Sequence, residues 1–212
     1  MRVLVFANGS FQSESLDTSD FDLVIAADGG SDHCQMLGIR PQILIGDLDS
    51  TSQSRRVEWE KKGVEIIRHP QRKDKTDLEI ALEYAQEKGA DEIHVYGALG
   101  DRLDMTLGNI LLLAHPDLNC EIKMICENEV LSVVRGGSTL ILEGRQGDMV
   151  SLLPLLPTTS GITTQNLEYP LQEGMLAYGT TRGISNVMEG DQAVISLREG
   201  LLCVIHTQNK SS

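Results

Sequence analysis

Aromatic residues are scarce: Phe, Trp and Tyr together make up 4% of the 212 residues. That argues against a platform on which single-stranded nucleic-acid bases stack. Basic residues are also few, 18 Lys and Arg against 31 Asp and Glu, for a formal net charge of −13. A chain this acidic repels phosphate backbones, which argues against general nucleic-acid binding. No apolar run approaches the roughly 18 residues of a membrane span. The first seven residues enter a short apolar strand, and a polar, acidic stretch follows through Asp22, with no hydrophobic region of signal-peptide length. Cys34, Cys120, Cys126 and Cys203 form no C-x-x-C and read as reduced core thiols of a cytoplasmic protein. The histidines make no H-x-H or H-x-x-x-H pair, so a zinc site is not expected. A Walker-type G-x-x-x-x-G-K-[ST] is missing, as is a G-x-G-x-x-G after the first strand.

What is present is a 41% apolar chain, enough for a sizeable core in one or two domains. The first half alternates apolar strands (residues 2–7, 23–27, 42–45, 64–67, 92–96 and 121–125) with helices (from Gly29-Gly30 to 37, then 53–62, 76–89 and 104–115). That alternation predicts βαβ units and a mainly parallel sheet. Thr76-Asp77-Leu78-Glu79 reads as a capping box that starts the third helix. The second half offers no convincing helix. Its short strands (130–134, 138–142, 149–153, 161–165, 175–177, 193–197 and 201–206) are punctuated by glycine turns, the pattern of a small β-sandwich. The expected fold class is therefore an α/β domain over residues 1–127 and an all-β sandwich domain over residues 128–212.

Acidic residues cluster just after strand ends: Asp28; Asp47 and Asp49; Asp74 and Asp77; Asp101 and Asp104. In an open parallel sheet those positions share the edge where ligands bind. A single Asp at such a junction is often only a helix cap, and a lone D-x-D is common in surface turns. Four clusters at consecutive strand ends instead predict that carboxylates distant in sequence converge. Their repulsion calls for a cation, and Mg²⁺, with its preference for oxygen ligands, fits best. Gly29, Gly30, Gly46, Gly97 and Gly100 flank the acids, suited either to tight turns or to close approach of a phosphate. Eight basic residues fall between 55 and 75. Arg72, Lys73 and Lys75 flank Asp74, while Arg102 sits inside the fifth-strand motif and is the stronger phosphate ligand. In the second half, the loop Tyr178-Gly179-Thr180-Thr181-Arg182-Gly183-Ile184-Ser185-Asn186 suits either a polar ligand or an ordinary turn.

Taken in order, these pieces resemble the thiamine pyrophosphokinase family. The resemblance rests on Ala27-Asp28-Gly29-Gly30, Gly46-Asp47-Leu48-Asp49-Ser50, Asp74-Lys75-Thr76-Asp77, Gly97-x-x-Gly100-x-Arg102-x-Asp104 with Asn109, Gly161–Thr164 with Leu167-x-Tyr169-Pro170-Leu171, and Gly183-Ile184-Ser185-Asn186. It covers almost the whole chain. One departure is Gly100-Asp101-Arg102-Leu103-Asp104-Met105, where bacterial members often have Gly-Gly-Arg-x-Asp-His. Met105 removes an imidazole and Asp101 adds a carboxylate.

The resemblance implies a Rossmann-like domain binding ATP and Mg²⁺, a β-sandwich, and a cytoplasmic homodimer with active sites at the subunit interface. It implies transfer of a pyrophosphoryl group from ATP to the thiamine hydroxyl. Asp47, Asp49 and Asp77 are expected to hold Mg²⁺. Asp28 or Asp74 is expected to take the hydroxyl proton, with Arg102 binding phosphate and Asp104 orienting Arg102 or the nucleotide. Gly29, Gly30, Thr76, Gly100 and Asn109 are expected around ATP, and Ser185 and Asn186 around thiamine. Two alternatives stay open: another Mg²⁺-dependent enzyme on this scaffold, or a nucleotide sensor without turnover.

Overall fold

A computed structural model describes residues 1–48, 53–70, 74–100 and 102–209. Asp49, Ser50, Arg72, Lys73 and Asp101 lie outside the described residues. The chain divides into two compact units, Met1–Glu127 and Asn128–Ser212.

The first unit runs β1 (Arg2–Phe6), β2 (Leu23–Ala27), α1 (Gly30–Met36), β3 (Ile43–Gly46), α2 (Gln53–Lys61), β4 (Glu65–Arg68), α3 (Asp77–Glu87), β5 (Glu92–Tyr96), α4 (Leu103–Leu112) and β6 (Glu121–Cys126). Its strands lie in the order β4-β3-β2-β1-β5-β6, every pair parallel. The interior strands are buried on both faces, as continuous apolar strands under helices must be. On one face Leu4, Phe6, Val24, Ala26 and Leu44 share a core with Cys34 of α1 and Trp59 of α2. Residues one step out of phase, such as Val5 and Ile25, point the other way. The buried stripe of α3, with Leu78, Ala81, Leu82 and Ala85, packs over β1, β2 and β3. Helix α4 stops short of the expected residue 115. Its last amides, those of Ala114 and His115, bond to carbonyls three residues back, at 2.9 Å each, so the chain tightens into turns ahead of Pro116.

After β1, successive strands step outward to one side, and β5 then pairs with β1 on the other. This reversal leaves a crevice at the carboxyl ends of β1 and β5.

The second unit contains β7 (Glu129–Arg135), β8 (Ser138–Glu143), β9 (Met149–Pro154), β10 (Ser160–Gln165), β11 (Gly174–Met175), β12 (Asn186–Val187), β13 (Gln192–Glu199) and β14 (Leu201–Thr207), with no helix among the described residues. One antiparallel set runs β7-β14-β9-β12, the other β8-β13-β10-β11. Val150, Leu152 and Val204 of the first set share a core with Ile162, Ile195 and Leu197 of the second. Two elements differ from the sequence reading. β11 covers Gly174–Met175 rather than 175–177, and Asn186–Val187, read as loop, forms a two-residue strand on β9. Ladders of two residues carry too little alternation to be recognised in a sequence. No helix among the described residues is long and apolar enough to cross a membrane.

Candidate active site

Three aspartates from three loops meet at the carboxyl edge of the parallel sheet. Asp28 follows β2, Asp47 follows β3, and Asp77 opens α3. One carboxylate oxygen from each lies within 4.8 Å of the other two. The backbone is shaped to allow it. The Asp28 amide donates to the Ile45 carbonyl at 2.8 Å, which draws the β2 end against β3. Asp28 itself has φ +43°, in the left-handed region, a conformation that costs about 1–3 kcal/mol and persists only where surroundings impose it. Gly46, at φ +145°, sits where the carboxylates converge: a Cβ there would lie 2.7 Å from Asp77 Oδ1 and 3.2 Å from Asp28 Cβ. Asp28 is buried, and Asp47 and Asp77 are half-buried.

Gathering three partly desolvated carboxylates is unfavourable without a cation. The donor set contains only carboxylate oxygens, which suits a hard divalent ion. Such an all-oxygen donor set is the kind that Mg²⁺ prefers. Asp28 belongs to this group, whereas the sequence placed it beside the metal ligands. Asp74 is exposed in the turn before α3 and is not a member among the described residues.

Two of the three, Asp28 and Asp77, line a cavity of about 600 Å³ formed by the loops after β1, β2 and β5 and by α4. That volume lies in the range of small-ligand sites. Arg102, the N-cap of α4, and Asn109 within that helix line it. Arg102 donates to Asp104 through Nη2 (2.6 Å) and Nε (3.2 Å). The pairing raises the guanidinium pKa and holds the Asp104 carboxyl below its usual range. Both side chains are exposed, so the pair is easily exchanged for a ligand phosphate. Asn109 is buried and donates to the Ala98 carbonyl at 2.6 Å, fixing the loop after β5. Gly100 donates its amide to Thr106 Oγ1 at 3.2 Å, and a Cβ there would approach Ser10 N to 2.8 Å. Gly29 caps α1 and Gly30 begins it. A Cβ on Gly30 would overlap the Phe6 carbonyl oxygen. Thr76 is the N-cap of α3, its hydroxyl accepting from the Glu79 amide at 3.2 Å.

Sequence reasoning passed over Asn8, Gly9, Ser10, Phe11 and His33, all of which line the cavity. The Gly9 and Ser10 amides donate to the Gly97 and Leu99 carbonyls at 2.7 and 2.8 Å, extending β1 toward the β5 loop. His33 Nε2 donates to the Gly9 carbonyl at 2.9 Å. The available signal was the run of small polar residues directly after the first strand. Met105 also lines this cavity.

Ser185 and Asn186 lie in the second unit, on a separate cavity of about 410 Å³. Asn186 Oδ1 accepts from the Tyr169 amide at 3.0 Å, and its Nδ2 donates to the Tyr169 carbonyl at 2.9 Å. The side chain thus clamps the Tyr169-Pro170 wall. Ser185 has φ +62°, and its amide donates to Ser151 Oγ at 3.1 Å.

Residues 16–126 match the family described as "Thiamin pyrophosphokinase, catalytic domain", and residues 138–202 match "Thiamin pyrophosphokinase, vitamin B1 binding domain". The chain is 30% identical over 191 residues to a thiamine pyrophosphokinase of Bacillus subtilis, covering 90% of this chain and 89% of that one. It is 26% identical over 179 residues to "Thiamine pyrophosphokinase 1" of Oryza sativa, covering 80% and 67%. The crystal structure of thiamin pyrophosphokinase from Geobacillus thermodenitrificans superposes with a TM-score of 0.84 at 28% identity, covering 100% of this chain and 99% of that chain. With matched residues spanning both units and a carboxylate group at the sheet's ligand edge, this chain belongs to the thiamine pyrophosphokinase family of enzymes.

Proposed function

We propose that the protein transfers the pyrophosphoryl group of ATP to the hydroxyl of thiamine, releasing AMP and thiamine diphosphate, with Mg²⁺ as cofactor. The observation that carries this reading is the meeting of Asp28, Asp47 and Asp77 within 4.8 Å, with Asp28 and Asp77 lining the cavity of about 600 Å³. Asp28, Asp47 and Asp77, together with Asp49, would hold the metal, which when bound neutralises phosphate charge at an edge that otherwise repels ATP. The Rossmann-like unit is then the nucleotide-binding, catalytic domain (1–127). The β-sandwich unit (128–212) binds thiamine at the cavity of Ser185 and Asn186 and takes part in dimerisation.

The thiamine hydroxyl oxygen forms a bond to the β-phosphorus, the bond from that phosphorus to the AMP oxygen breaks, and the hydroxyl proton passes to a carboxylate, either Asp74 or the Asp28 oxygen that would not hold the metal. Such a transition state spreads charge over phosphoryl oxygens, so positioning and electrostatics supply most of the acceleration. Arg102 turns from Asp104 to a phosphate oxygen, and Asn109 keeps the β5 loop in place. Gly29 and Gly30 let the α1 turn lie close to the polyphosphate, and Gly100 and Thr76 border it.

The homodimer is part of the reading. Leu103, Leu107 and Leu111 stand one helical turn apart on α4 and are 70%, 52% and 57% exposed. An apolar stripe of that kind, on the helix that also carries Arg102 and Asn109, supports a second copy as its cover. A cytoplasmic setting is supported by the buried, reduced thiols of Cys34 and Cys203, burial pushing the Cys34 thiol pKa up to about 12.

The test is AMP release with ATP, Mg²⁺ and thiamine against the same mixture without thiamine. The proposal expects AMP only with thiamine. Phosphate released without acceptor points to a hydrolase instead, and ATP binding without AMP under any acceptor points to a sensor.

A further inference from the structure

The cavity of the second unit has an unusual charge balance. Its lining includes Arg182, and among the described residues no Asp or Glu joins it. The other arginines of known pairing face carboxylates, as Arg2 does Glu92, Arg102 does Asp104 and Arg198 does Glu173. Among the described residues Arg182 has no such ion pair, in a chain of net charge −13.

The loop that presents Arg182 is fixed on both sides. The Ile184 amide donates to the Thr181 carbonyl at 3.1 Å, and the Gly183 carbonyl accepts from the Leu152 amide at 2.8 Å. A Cβ on Gly183 would overlap the Leu152 carbonyl oxygen, so the loop lies flat on β9. The backbone that carries Arg182 is therefore already ordered, and a ligand has only the exposed side chain itself to organise.

Thiamine itself, whose thiazolium is positive and which carries no anion, leaves the Arg182 charge of this site unused. The site matches a ligand that also has phosphate, because a guanidinium binds phosphate through paired charge-assisted hydrogen bonds. Tyr169, 65% exposed on the same cavity, offers a ring face for the cation. We infer that Arg182 binds the diphosphate arm of the product, so that the second unit holds thiamine diphosphate more tightly than thiamine and sets how fast the product leaves. This rests on the function proposed above.

The experiment is calorimetric titration of the full chain with thiamine and with thiamine diphosphate. EDTA is present, so that binding through a metal at the aspartate edge does not contribute. The wild type is expected to prefer the diphosphate by about tenfold or more, the effect of a charge-assisted contact. Arg182→Gln is expected to lose that preference while its thiamine affinity stays within about twofold. Arg182→Lys, which keeps the charge without the fork, is expected to retain part of it. A Gln variant that keeps the preference, or that weakens for both compounds alike, overturns the inference. So does a wild type with equal affinity for the two, which leaves the pyrophosphokinase reading standing. A wild type that binds neither compound overturns both.

Discussion

The two ends of the first unit's parallel sheet treat carboxylates in opposite ways. At the amino ends of β1, β5 and β6, acids meet bases. Glu92 accepts from His94 (2.7 Å), Lys123 (2.6 Å) and Arg2 (3.0 Å), and Lys123 also reaches Glu121 at 3.0 Å. Burial alone would raise the Glu92 pKa, but the hydrogen bonds from Lys123 and His94 outweigh it and bring it to about 2. At the carboxyl ends, acids meet acids, in a group of three. The same secondary structure supports both. What differs is that the first end is arranged to hold the unit together and the second to hold something that arrives. Concentrating like charge in one place is a stability cost that only a bound cation offsets.

The largest expected effect comes from attacking the acid-rich end. Asp47→Asn or Asp77→Asn should lower thiamine-dependent AMP release by about 10²–10³-fold, the scale of removing a group that stabilises transition-state charge. The fold should persist, and without divalent ions the variant should melt no lower than the wild type because repulsion is relieved. Thermal melts with and without Mg²⁺ check this: added Mg²⁺ should raise the wild-type midpoint and shift the variants less.

The same edge also shows what could be read from the sequence and what could not. The alternation of apolar runs located the six parallel strands to within a few residues, because strands buried on both faces leave continuous Val, Ile, Leu and Ala. The acids after β2 and β3 and at the start of α3 follow directly from that alternation plus the rule for open sheets. The part not legible is three-dimensional detail. Nothing in the residue order says that Asp28 enters the left-handed region and joins Asp47 and Asp77, or that Asn186 spends its amide on Tyr169. The loop after β1 was passed over because Asn8-Gly9-Ser10 carries no titratable group, although its backbone bonds to the β5 loop build one wall of the cavity.

A steric change tests whether the acid-rich edge depends on close backbone approach. Gly30→Ala places a methyl against the Phe6 carbonyl and should cost about 1–3 kcal/mol in urea unfolding. Removing the clamp behind Arg102 gives a similar loss: Asn109→Ala leaves the buried Ala98 carbonyl unpartnered, for about 1–3 kcal/mol, and should also raise KM for ATP.

At the other end of the sheet, pH separates the two regions. The folded-state pKa of Glu92 is depressed, so its contribution is fully present above the unfolded value near 4.5 and is lost as pH falls from there toward about 2. Wild-type stability should therefore decline more steeply over that window than that of Glu92→Gln, which should be the less stable protein at pH 7. Urea midpoints at pH 7 and pH 3 measure the difference, and parallel declines would show that the network contributes little. The smallest effect is expected for Thr76→Ala, which removes the α3 cap and should cost about 1 kcal/mol in the same unfolding assay.

The central claim is that Asp28, Asp47 and Asp77 surround one divalent cation. Anomalous diffraction from crystals grown with Mn²⁺ and a non-hydrolysable ATP analogue measures this directly. The account predicts a peak within bonding distance of carboxylate oxygens from all three residues. A peak bonded to none of them, with the analogue bound in the same cavity, would contradict it.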